Sequence, residues 1–146
     1  MSSTTTLTCG LVGLIAAAGC DSGPLMAPVQ GVVNFDEQPV AKGTIQLYPV
    51  QSGPMAAGRL SADGTFELTT KTPGDGALVG EHIVVVTPPS DVNELQRTLK
   101  EGQRRREQFR NIPESVRNQQ TSSLRVTVEP GDNELEIDLS DALDNP

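Results

Sequence analysis

Tryptophan is absent from these 146 residues, and the aromatic complement is one tyrosine and three phenylalanines, 3% of the chain. Sites that hold sugars or bases by stacking rely on aromatic platforms, and Tyr48 alone makes a poor one. Histidine is almost absent too: His82 stands alone. A hydrolytic zinc site draws on clustered ligands such as His-Glu-x-x-His, which one histidine cannot supply. There is no Gly-x-Ser-x-Gly elbow, no phosphate-binding loop and no dinucleotide fingerprint. Basic residues are outnumbered, 11 against 19 acids, for a net charge of −8. That balance argues against a nucleic-acid partner, because phosphates demand Lys and Arg. No catalytic residue, metal or dissociable cofactor is expected.

Charge is also missing from the start of the chain, where the first charged side chain is Asp21. Leu7 to Ala18 is mostly apolar and small. A bilayer span needs about 20 apolar residues, so this run suits the apolar region of a secretory signal peptide instead. Ala17-Ala18-Gly19-Cys20 follows directly. This quartet resembles the lipobox of bacterial lipoproteins, with Ala17 where that motif commonly has Leu. The resemblance implies removal of residues 1–19, a diacylglycerol thioether on Cys20 and an N-acyl chain on its new amine. It also implies a protein lipid-anchored in the cell membrane and facing the periplasm or exterior. Cys9 would leave with the signal, so the mature domain would hold no free thiol and no disulfide, and its stability must come from its core.

Residues 21–28 read as a tether, rich in Ser, Gly and Pro. Val29 to Phe35 reads as a first strand and Gly43 to Pro49 as a second, with Ile45 and Leu47 alternating against Gln46 and Tyr48. Ala57 to Leu68 reads as a hairpin turning at Ala62-Asp63-Gly64, with Gly64 at the position needing positive φ. In that register Leu60 faces Phe66 and Arg59 faces Glu67. Lys71 to Ala77 is a loop of turn residues, and Gly80 to Thr87 is a β-branched run expected at the centre of a sheet. The phase of His82 within that run is ambiguous.

Residues 91–118 break the pattern. They hold seven of the eleven basic residues and carry +2, leaving −10 on the rest of the chain. Their residue types predict a weakly amphipathic helix ended by Ile112-Pro113. Ser123–Val128 and Glu134–Leu139 then read as a last hairpin, with Val126 opposite Ile137 and Arg125 opposite Asp138. The expected fold is a seven-stranded antiparallel β-sandwich over residues 29–140, with a short helical insertion before the last two strands and an acidic tail at 141–146.

Gly31-x-Val33, Gln38-Pro39-Val40, Gly43-x-Ile45-x-Leu47-x-Pro49, Asp63-Gly64-x-Phe66-x-Leu68, Gly74-Asp75-Gly76-Ala77 and Gly80-Glu81-His82-x-Val84-x-Val86 occur here in that order. Together they resemble carboxypeptidase regulatory-like domains, which are transthyretin-like sandwiches. Ser123-Leu124-x-Val126-x-Val128 and Gly131-x-Asn133, taken with the lipobox, extend the resemblance to small bacterial lipoproteins. It implies no peptidase activity, since in carboxypeptidases the zinc ligands belong to a different domain.

The expected function is therefore a non-catalytic structural or protein-interaction module at the cell envelope, meeting an envelope protein or glycan. A ligand-binding module for carbohydrate, peptide or calcium is the alternative. Contact surfaces are expected at the Asp75 loop and at Arg104, Arg105 and Arg106. Asp132, Glu134, Glu136 and Asp138 form an acidic ridge that reads as a solvated face guarding a sheet edge.

Overall fold

Period-two alternation becomes ten strands within residues 24–89 and 111–143, which the computed structural model describes. They are β1 (Met26–Ala27), β2 (Val29–Phe35), β3 (Gln38–Pro39), β4 (Thr44–Pro49), β5 (Ala56–Arg59), β6 (Thr65–Glu67), β7 (Ala77–Leu78), β8 (Gly80–Thr87), β9 (Arg125–Val128) and β10 (Asn133–Asp138). Among the described residues the helical elements are 3-10 turns such as Glu114–Arg117 and Leu139–Ala142. β2 and β8 keep the bounds expected of them. Met26–Ala27, inside the expected tether, pairs with Ala77–Leu78 as a small antiparallel ladder.

One sheet runs β5-β4-β8-β9 and is antiparallel throughout. β8 is central in it, as its β-branched content suggests. The other sheet is built on β2, with β10 along one side and β6, then β3, along the other. Inward side chains of both sheets share one apolar cluster: Val29, Val33, Phe66 and Ile137 from the second, and Ile45, Leu47, Val84, Val86 and Val128 from the first. Burial of each such side chain is worth about 1.5–3 kcal/mol. Ile112 and Val116, around the first 3-10 turn, and Leu139 and Ala142, in the second, belong to the same cluster.

The expected central hairpin keeps its register but not its ladder. Ser61 N–H bonds the Thr65 carbonyl at 2.9 Å, Ala57 bridges Thr69, and Gly64 has φ of 78°. Between these points the two arms part, β5 joining β4 and β6 joining β2. The hairpin therefore folds over from one sheet to the other. Gly58 permits this crossing, because a Cβ there would lie 2.4 Å from the Glu67 carbonyl oxygen.

The expected last hairpin is overturned. β9 pairs antiparallel with β8, while β10 pairs in parallel with β2, from Asn133↔Val29 to Asp138↔Asn34. The fold is thus all-β but not all-antiparallel. Alternation within each strand fixed which side chains point inward, and both pairings satisfy it equally. The Glu129–Asp132 loop carries the chain from one sheet to the other. Arg125, expected opposite Asp138, donates from Nη1 to the carbonyls of Ser122 and Leu124 at 2.9 and 3.0 Å.

Candidate functional site

The outer face of the β10–β2–β6 sheet is where polar side chains converge. Strand alternation that buries Val29, Val33 and Ile137 turns Gln30, Glu134 and Glu136 outward. Register then sets Glu134, Gln30 and Glu67 in one row across three strands, and Glu136, Val32 and Thr65 in the next. An open trough of about 930 Å³ follows these rows, with Arg59 and Ser61 at its margin. A smaller hollow of about 400 Å³ continues it past Gln30, Glu67 and Glu134 to Gly74, Asp132 and Asn133. Of the expected acidic ridge, Glu134 and Glu136 form one wall of the trough, whose other wall comes from β6, while the Asp138 carboxylate accepts the Ser140 N–H instead. A face of this kind suits cationic or amide-rich groups, with Arg59 as the counter-charge that fixes orientation. Among the described residues no group of three or more His, Cys, Asp or Glu side chains is arranged to hold a metal ion.

The Asp75 carboxylate faces its own loop. Oδ1 accepts from the Thr70 N–H at 2.7 Å, and Oδ2 accepts from the Lys71 and Thr72 N–H groups at 2.9 Å each. Gly74 and Gly76 flank it at φ of 76° and 77°, the left-handed region where glycine carries no Cβ penalty. Bonds from the Thr70 and Thr72 amides, with Lys71 behind them, hold the carboxyl below its ordinary range. Asp75 organises the loop, and the loop's rim at Gly74 reaches the smaller hollow.

His82 takes the inward phase with Val84 and Val86 and is 1% exposed. Its Nδ1 lies 3.0 Å from the Gly80 carbonyl, and its Nε2 is buried with no partner among the described residues. Burial lowers its pKa, and the Gly80 carbonyl opposes that only in part. A neutral imidazole with Nδ1–H donating to Gly80 accounts for both observations.

Asn133 is a residue that sequence reasoning left as part of a turn. It is 8% exposed, and its side chain holds the loop between β9 and β10. Oδ1 accepts the Glu129 N–H at 2.8 Å, and Nδ2 donates to the carbonyls of Glu129 and Gly131 at 2.8 Å and of Pro28 at 3.3 Å. The signal was the spacing Gly131-x-Asn133 after Pro130. Cys20, Arg104, Arg105 and Arg106, the remaining expected site residues, lie outside the described residues. Among the described residues no helix is long and apolar enough to cross a membrane.

No protein-family description matches the sequence, and no curated protein matches it. A DUF3823 family protein from Parabacteroides merdae, known from its crystal structure, is similar at 18% identity with a TM-score of 0.43. The likeness covers 80% of this chain and 46% of that one.

Proposed function

We propose that the chain is a lipid-anchored envelope protein whose β-sandwich is a non-catalytic structural or protein-interaction module. The observation that carries this reading is the Ala17-Ala18-Gly19-Cys20 quartet directly after the apolar run Leu7–Ala18. Two sheets sharing one apolar cluster support the sandwich, and the ordered motifs of residues 31–86 support its likeness to carboxypeptidase regulatory-like domains. The non-catalytic part is supported by the engagement of the groups best suited to acid–base chemistry. His82 is turned into the core, and Asp75 spends its oxygens on its own loop.

A second reading is favoured by the trough between Glu67, Glu134 and Glu136: a binding surface for a cationic or amide-rich partner, such as a peptide. Its electrostatic part would weaken with added salt.

Intact mass of the membrane-extracted protein, beside Cys20→Ala, tests the anchor. The expected mass is that of residues 20–146 plus acyl chains, with the variant uncut or soluble. A mass equal to unmodified residues 1–146 would overturn the lipoprotein reading and leave the β-fold intact.

A further inference from the structure

We infer that the edge formed by Leu25, Val50 and Met55 is a membrane-facing surface, resting on the lipid bilayer to which Cys20 is attached. The inference rests on the lipoprotein reading and adds the orientation of the domain to it. Leu25, Val50 and Met55 are 61%, 53% and 40% exposed, large apolar side chains left in contact with water. Backbone pairing places them at one end of the molecule. Leu25 accepts the Val79 N–H at 2.9 Å, and the Val50 N–H bonds the Glu81 carbonyl at 2.9 Å, two residues further along the same stretch. Met55 closes the loop that leaves Val50, and Gly53 in that loop sits against the Leu78 side chain.

This is also the end at which the chain arrives from Cys20. Asp21 to Leu25 are the only residues between that cysteine and β1, so a fully extended connection reaches about 20 Å at most. Met26–Ala27 is fixed to β7, so the connection to Cys20 leaves the domain at this end. Buried apolar area at an interface adds to the affinity of the acyl chains. The carboxylates of Glu81, Glu129 and Asp132 share this end, so the contact is shallow, at headgroup depth, with the charges left in water.

Leu143, 56% exposed, supplies the control. It follows the second 3-10 turn, whose Ser140 hydroxyl receives the Asp36 N–H just beyond the far end of β2. The seven residues of β2 separate the two ends by about 20 Å.

The absence of tryptophan makes the test direct, because Val50→Trp, Met55→Trp and Leu143→Trp each create a single emitter. The full lipoprotein is reconstituted into phosphatidylcholine vesicles with or without brominated acyl chains, which quench by contact. Val50→Trp and Met55→Trp are expected to lose much of their emission in brominated vesicles, and Leu143→Trp to keep its own. Vesicle-bound protein with all three emissions equal in the two lipids would overturn the inference and leave the anchor standing. Protein that carries no acyl mass and does not float with the vesicles would overturn both.

Discussion

Gly31 lies so close to Leu135 in the parallel ladder that a Cβ added to it would sit 2.0 Å from the Leu135 carbonyl oxygen. That oxygen is backbone of the edge strand β10, in the ladder with β2, so relief requires β10 to move away from β2.

Gly31→Ala is therefore expected to destabilise the fold by about 3 kcal/mol or more, since β10, whose only ladder among the described residues is the one with β2, cannot back away without stretching that ladder and withdrawing Ile137 from the core. A denaturant unfolding midpoint close to that of the wild type would mean that β10 does not lie against β2 in this register.

Asn133→Ala removes one acceptor and a donor shared among three carbonyls in a nearly buried loop. Stranding such groups costs about 1–3 kcal/mol. The expected phenotype is a loss of that size with faster amide exchange at Glu129. Asn133→Asp keeps the acceptor and loses the donors, so it should protect the Glu129 amide while still weakening the fold.

His82 predicts acid sensitivity above the carboxylate range. Burial lowers its folded pKa from the ordinary 6.5. The unfolded chain then binds a proton that the folded chain refuses, so this contribution is complete above pH 6.5 and is lost as pH falls through the folded value. The unfolding free energy of the wild type should decline on going from pH 7 towards pH 5, and that of His82→Leu should be flatter over the same interval. Parallel pH profiles for the two proteins would show that His82 ionises as freely in the fold as out of it.

The strands were legible because each one writes its own faces. Ile45 against Gln46, or Val126 against Thr127, needs no knowledge of any neighbour. Partners were another matter. β10 shows the same alternation beside β9 or beside β2, and the loop between them has the residues of a tight turn, so local signals favoured the wrong neighbour. Ile112 and Val116 were hidden for a different reason. They sit in a polar stretch where only their separation by four residues hints at a shared buried side. Asp75 was readable as a turn former from its two flanking glycines. The trough was not, because its rows draw on strands spread from Gln30 to Glu136 and exist only once register is set.

The parallel pairing of β2 with β10 also constrains when the protein can fold. Val29 waits for Asn133, 104 positions later, and Asn34 waits for Asp138. Contacts this distant in sequence form slowly, because a long loop must close before any of them is made. Until nearly the whole chain has been synthesised, the second sheet lacks an edge and the shared core stays open. A chain shortened before Asn133 is therefore expected to lack not a surface strand alone but the closing wall of the core, so the last strand acts as the latch of the whole fold.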